Sequence, residues 1–309
     1  DLVDLIEGLD AFDFDACAHR DRDVEVLADR AEPAFDFAGR TQQHADAFGG
    51  LLGLLRTPDV RPRSDLDERD CMWSSLQQVT ESKAYRCMMV VGEAGTGKTR
   101  LADWMATRAH ELGAVETLRA VHSPEGGPSE GLRGAIERVL RTVNMERTAM
   151  FGHLVETLPP LEDVDDPRMR DARALTEYLR PAGSLSEKIE GPTFQFAGAD
   201  QKYALLVRLL RRLATRRPLL LHLDDVQWGG EAVGLLEYLQ EAVDRHPPML
   251  VLGTVRAGIL AGQDRVRKRL ESLSEGPRVE RIELEPLSRS SQRELLGGVL
   301  PLDEELETA

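Results

Sequence analysis

Cysteine is nearly missing from this chain. Cys17, Cys71 and Cys87 are the only three in 309 residues, an odd number with no Cys-x-x-Cys spacing. That excludes a disulfide framework, offers no zinc-ligand pattern, and makes a reducing cytoplasm the expected compartment. Aromatic residues are also scarce, at 5%. The three tryptophans, Trp73, Trp104 and Trp228, are too far apart in sequence to suggest a stacking platform and are read as packing residues. No apolar run approaches the roughly 20 residues of a membrane span, and no secretory leader opens the chain, so no membrane partner is expected. Positive charge is in deficit: 39 Lys and Arg against 54 Asp and Glu give a net charge of -15. The basic footprint of a dedicated nucleic-acid binder is therefore lacking, and nucleic acid stays open as a partner without being indicated.

What is present is unevenly spread. Residues 1–36 hold twelve acidic residues against three arginines, which concentrates most of the excess charge there. Residues 1–65 form an acidic segment with apolar residues at loosely helical spacing (Leu2, Leu5, Leu9, Phe12), ending in a linker where Pro58 and Pro62 forbid a helix. The chain starts at Asp1 without Met and stops just past a helical pattern, which reads as a piece of something longer. From residue 66 onward, helices alternate with short apolar strands. Strands are expected at 87–91, 115–121, 219–223, 249–254 and 279–284. Helices are expected at 98–112, 131–143, 201–216, 231–244 and 288–299. Residues 145–200 are less legible and suggest one or two helices. Strands alternating with helices imply an α/β fold with a parallel sheet covered on both faces.

Residues Gly92, Glu93, Ala94, Gly95, Thr96, Gly97, Lys98 and Thr99 fit G-x-x-x-x-G-K-[ST], followed by Arg100. This is the P-loop, or Walker A, pattern. Its glycines let successive backbone N–H groups point at phosphate oxygens, and the helix that follows aims its positive dipole end at the same point. Lys98 is expected to reach the β- and γ-phosphates and Thr99 to ligate Mg²⁺. Such a match arises by chance in roughly one chain of this length in a hundred, and here an apolar strand precedes it and an amphipathic helix follows. Leu219-Leu220-Leu221-His222-Leu223-Asp224-Asp225 is a second apolar strand, ending in two carboxylates. Parallel sheets bind ligands beyond the carboxyl ends of their strands. Asp224 is therefore expected to hold Mg²⁺ and Asp225 to orient or deprotonate an attacking water. Gly253-Thr254-Val255-Arg256 ends the next strand. Arg256 has two readings there: a donor to the γ-phosphate, or a structural arginine paired with surface acid. Arg208, Arg211, Arg212, Arg216 and Arg217 read by default as a solvated helix face.

Together these residues resemble the STAND branch of the AAA+-like P-loop ATPases, in particular the bacterial ATPase module of large LuxR-type regulators of the maltose-activator kind. The resemblance rests on residues 90–101 (VVGEAGTGKTRL), 221–228 (LHLDDVQW), 253–256 (GTVR) and 284–288 (LEPLS), in that order, and covers about residues 66–300. It implies an ATPase core over 66–285 with a three-layer α/β/α sandwich, and the start of a helical lid domain over 286–309. The implied ligands are ATP or ADP with Mg²⁺, and the implied behaviour is slow hydrolysis, homo-oligomerisation on activation, and control of effector or sensor domains outside this chain. A DNA-loading or mechanochemical AAA+ ATPase and a non-hydrolysing ADP-bound scaffold are the alternatives. Two features depart from the family. Its Gly-Arg-Glu segment is split between Gly39-Arg40, which has the letters, and Glu68-Arg69, which has the spacing. Gly229-Gly230 stands where a small residue and an acid commonly follow the tryptophan.

Overall fold

The computed structural model describes residues 66–286, apart from 128, 162–165, 183–193, 242–245 and 261–263. The chain divides into two compact units, Phe48–Glu285, and Asp1–Ala47 together with Pro286–Ala309. Cys17, the apolar spacing from Leu2 to Phe12, the linker around Pro58 and Pro62, and the helix expected at 288–299 all lie outside the described residues.

The unit opens with α1 (Leu66–Ser82), β1 (Tyr85–Gly92), α2 (Lys98–Glu111) and β2 (Glu116–Val121). Four helices follow: α3 (Gly131–Val139), α4 (Arg147–Thr157), α5 (Arg168–Leu179) and α6 (Ala199–Leu213). Then come β3 (Leu219–Asp224), a 3₁₀ turn at Val226–Trp228, α7 (Gly230–Glu241), β4 (Met249–Arg256), the single turn α8 (Ala257–Leu260), α9 (Asp264–Ser274) and β5 (Val279–Leu284). The sheet order is β2-β3-β4-β1-β5, and every pairing is parallel.

Burial follows from that order. In β3 all six residues are buried and in β4 all but Arg256, which is why both read as unbroken apolar runs. Strands β2 and β5 lie at the edges and alternate with polar residues. One face of the sheet, carrying Met88, Val90, Leu220, Leu250 and Leu252, packs on α1 and α2 through Met72, Leu76, Leu101 and Met105. The other face, carrying Met89, Leu221, Leu223, Val251 and Val255, packs on the remaining helices through residues such as Leu132, Leu175, Leu209, Leu236 and Leu270. This is the three-layer sandwich. Each fully buried leucine of this kind contributes about 1.5–3 kcal/mol. Among the described residues, no helix is long and apolar enough to cross a membrane.

The structure changes some of the local expectations. The helix expected to reach residue 143 stops at Val139, because Arg141 and Asn144 take left-handed conformations (φ 55° and 60°) that no helix tolerates. Among the described residues, the less legible stretch holds two helices, α4 and α5, packed against each other, and the start of α6. The reading of the α6 arginines as a solvated face fails at two of them. Arg212 is completely buried; its Nη2 donates to Asp166 (2.6 Å) and Asp171 (2.8 Å), and its Nη1 donates to the Pro159 carbonyl. Arg208 pairs with the same Asp171 at 2.9 Å. The acids that neutralise them come from chain about 40 residues upstream, a pairing that helix periodicity does not reveal. Cys71 and Cys87 are free thiols, and burial pushes each up to about 12, Cys71 with help from Glu280. Trp73 and Trp104 pack edge to face with ring centres 6.4 Å apart, as packing residues should.

Candidate functional site

The register brings the motif residues to one edge of the sheet. Gly92, the last residue of β1, lies opposite Arg256 of β4, and Leu223 of β3 lies opposite Gly253 of β4. The P-loop and the acidic pair therefore leave the sheet on the same side, with β4 between them.

In the loop, Gly95 and Gly97 take φ of 83° and 90°, in the left-handed region that a side chain would strain. Glu93, Ala94, Gly95, Gly97 and Arg100 are exposed, whereas Thr96 and Lys98 are buried. The loop is drawn together at one carbonyl: the Glu93 oxygen accepts the Thr96 hydroxyl at 3.0 Å and the Lys98 ammonium at 2.5 Å. Burial lowers the Lys98 ammonium from the usual lysine value, and Asp225, Glu93 and Asp224 only partly offset this. An ammonium with so little water around it gains from acquiring a phosphate partner.

Thr99 opens the first turn of α2 and donates its hydroxyl to Asp224 Oδ1 at 2.8 Å. Thr254 of β4 donates to the same oxygen at 2.7 Å and accepts the Asp225 backbone N–H at 2.8 Å, which fixes both members of the acidic pair. Burial works to raise the Asp224 carboxyl. The Thr254 and Thr99 hydroxyls, with His222 and Arg119 nearby, outweigh it and hold the group below the ordinary carboxylate range. A hydroxyl and an ionised carboxylate meeting at one point are hard oxygen donors that suit Mg²⁺. Among the described residues, no group of three or more His, Cys, Asp or Glu side chains is placed to hold a metal. A cation at Thr99 and Asp224 would thus draw its remaining ligands from water or phosphate, as Mg²⁺ commonly does.

Asp225 has φ 52°, uncommon for a residue with a side chain, and begins the 3₁₀ turn. Its carboxylate is bound from two sides. Arg256 donates Nε to Oδ1 at 2.9 Å and Nη2 to Oδ2, while Gln227 donates to Oδ1 at 3.2 Å. The two readings of Arg256 thus meet in one place: the arginine is at the site, and its partner is the carboxylate proposed to act on water.

Around this frame sit residues that the motifs do not announce. His122, just past β2, gives both its backbone N–H (3.1 Å) and its ring Nδ1 (2.8 Å) to the Asp224 carbonyl. Burial lowers the imidazole from its usual value, and because a carbonyl oxygen only accepts, it is Nδ1 that carries the donated proton. Its other edge lies against Gly229, where an added Cβ would fall 2.5 Å from the ring. That contact accounts for glycine at 229, whereas an added Cβ at Gly230 would meet nothing within 4 Å. Arg119 on β2 reaches Asp224 Oδ2, and Asp103 on α2 reaches both Arg119 and His222. Thr254 and His222 lie within runs that the sequence singles out, Gly253–Arg256 and Leu219–Asp225. The others depend on which strands become neighbours.

A model of the AAA ATPase domain matches residues 68–252, about three fifths of the chain. No curated protein matches it. Among solved structures, the chain is similar to the ORC2 protein of Aeropyrum pernix in its ADPNP–ADP complexes, at 14% identity and a TM-score of 0.43, over 79% of this chain and 54% of that one. It is also similar to Cdc6p from Pyrobaculum aerophilum, at 15% identity and a TM-score of 0.37, over 78% of this chain and 51% of that one. A chain of the HORMA:CdnC:Trip13 complex of E. coli MS115-1 matches at 14% identity and a TM-score of 0.36, over 89% and 76%. The chain spans about half the length of the first two.

Proposed function

The chain belongs to the AAA ATPase domain family, a P-loop α/β fold that binds nucleotide, and from that premise we propose that it is the switch of a STAND-type signalling ATPase. Residues 92–100 bind ATP or ADP, with Lys98 against the β- and γ-phosphates. Thr99 and Asp224 hold Mg²⁺, which when bound neutralises phosphate charge. Asp225 orients or deprotonates water, and Arg256 reads the γ-phosphate. Hydrolysis is slow, and the nucleotide state governs homo-oligomerisation and the effector domains beyond this chain.

The observation that carries this reading is the pair between Arg256 and Asp225. The guanidinium side chain is 45% exposed, so the pair is worth about 1 kcal/mol or less. A charge-assisted contact to a phosphate oxygen is worth roughly 1.5–3 kcal/mol. ATP therefore draws Arg256 away from Asp225, and ADP, lacking the γ-phosphate, leaves the pair intact. Asp225 is released to act on water only while there is a γ-phosphate to attack.

We take residues 66–285 as the ATPase core, 1–65 as an acidic segment with linker, and 286–309 as the start of a lid. The family match beginning at residue 68 favours Glu68-Arg69 as the segment preceding the P-loop strand. Sedimentation of the protein with ADP and with a non-hydrolysable ATP analogue tests the switch: assembly is expected with the analogue alone, and one species in both counts against it. The neutralised Asp225 also favours a second reading, a scaffold that keeps ADP and turns over nothing. Absence of phosphate release over many hours, with nucleotide bound, would select it.

A further inference from the structure

Asp224 has two oxygens, and they are treated differently. Oδ1 takes the hydroxyls of Thr99 and Thr254, both neutral donors. Oδ2 takes the Arg119 guanidinium, whose Nη2 lies 3.4 Å away. Arg119 sits on the edge strand β2, opposite His222 in register, and it is always charged at accessible pH. The same Nη2 lies closer, at 3.0 Å, to Asp103 Oδ2. Asp103 is four residues after Thr99 on α2, so the helix repeat puts both on one face. Its other oxygen is 3.0 Å from His222 Nδ1, and the second nitrogen of that ring is 3.9 Å from Asp224 Oδ1, beyond hydrogen-bonding distance. One arginine is thus shared between two acids. One of them is the carboxylate assigned to the cation, and the other lies just outside the site.

We propose that Arg119 is a positioning residue that competes with the divalent cation for Asp224, and that Asp103 sets the outcome by drawing the guanidinium aside. This rests on the reading of Thr99 and Asp224 as the Mg²⁺ pair. A divalent ion bound to Asp224 brings a second positive charge close to the guanidinium, and the two repel. Asp103 holds the alternative place for Arg119, already the nearer of its two partners. The balance between the two carboxylates fixes how much free Mg²⁺ the nucleotide site needs. Because the guanidinium is about half exposed, at 47%, the competition is modest and can be reversed.

The inference predicts opposite shifts from removing the two partners. Arg119→Gln removes the competitor, and the Mg²⁺ concentration giving half-maximal binding of a fluorescent ADP should fall about two- to fivefold, the scale of a part-exposed ion pair. Asp103→Asn removes the negative charge that draws the guanidinium aside and directs Arg119 onto Asp224, so the same midpoint should rise by a similar factor. In the double variant Asp103→Asn no longer matters, and the midpoint returns to that of Arg119→Gln. Melting of each variant without nucleotide is the folding control, and Arg119→Met, which also removes the charge, stands in if Arg119→Gln does not fold. Shifts in the same direction, or no shift in either variant, overturn the proposal. Asp224→Asn separates its failure from that of the underlying reading. If Asp224→Asn leaves the Mg²⁺ dependence intact, Asp224 is not the cation ligand. If it abolishes that dependence while Arg119→Gln changes nothing, only the role of Arg119 is lost.

Discussion

Replacing Arg256 with alanine separates a nucleotide sensor from a structural arginine, because the two roles move different quantities. In the structure Arg256 makes two charged hydrogen bonds to Asp225, and its backbone N–H reaches Gln227 Oε1 at 3.4 Å. The side-chain bonds are the ones lost. With the guanidinium 45% exposed and Asp225 14% exposed, that loss costs about 1 kcal/mol at most. A domain of this size should then melt about 2–4 °C lower. If Arg256 also meets the γ-phosphate, the variant gives up that contact with ATP, roughly 1.5–3 kcal/mol less the about 1 kcal/mol of the Asp225 pair that ATP must break, and nothing with ADP. The ATP-to-ADP affinity ratio should then fall about two- to thirtyfold. Calorimetric titration with ADP and a non-hydrolysable ATP analogue reads that ratio directly. Asp225→Asn makes the matching comparison: affinity for ADP is kept, affinity for ATP rises by no more than about fivefold as the competing ion pair is lost, and turnover falls about a hundredfold or more, the scale of a lost general base. A ratio unchanged in Arg256→Ala, with melting as the only effect, would remove Arg256 from the sensor role and with it the competition proposed between Asp225 and phosphate.

Lys98→Ala should weaken nucleotide binding at least about tenfold in a fluorescence titration while leaving the fold intact, because the ammonium bonds only within the loop; wild-type affinity would refute the cradle. Arg212→Met keeps the volume but removes the buried guanidinium, leaving Asp171 with Arg208 alone and Asp166 with Arg168. Because both acids keep one partner, it should cost up to about 3 kcal/mol, the low end for a broken buried pair, in chemical denaturation without touching nucleotide affinity in folded protein, and a loss under about 1 kcal/mol would contradict the buried network. The Asp224 carboxyl is lowered in the folded state, so its share of stability is fully present above the ordinary aspartate value near 4 and fades as pH falls through the lowered one. Asp224→Asn should therefore flatten the acid limb of a stability–pH curve, and an unaltered limb would show that the hydroxyl contacts do not lower the group.

The parts of the site that could be read from sequence are those whose chemistry is local. Gly95 and Gly97 must be glycine for the loop to turn, and Lys98 and Thr99 follow at once, so the cradle is contained in eight consecutive residues. Strands β1, β3 and β4 are buried on both faces and so appear as continuous apolar runs. Arg119 and Asp103 could not be found this way, since Arg119 meets Asp224 only through the β2–β3 pairing and Asp103 meets Arg119 only through the turn of α2. The same holds for His122, whose part is to hold a carbonyl 102 residues away. Helix α6 misled because arginines at helical spacing look solvated unless the acids that bury them are known, and Asp166 and Asp171 lie in a stretch whose pattern is weak.

The sheet order also bears on how the protein is made. Strand β4 lies between the P-loop strand β1 and the acidic strand β3, which do not pair with each other. A ribosome completes Lys98 long before Arg256, and at about 5–20 residues per second the interval is roughly 8–30 s. During that time the growing chain already holds the loop, and later the acidic pair, but no strand to set them side by side. The earliest point at which a nascent chain can bind nucleotide is therefore the emergence of β4. Nucleotide supplied during synthesis would favour the register in which that strand has entered the sheet, and a chain cut before residue 249 should carry an intact P-loop motif with no working site.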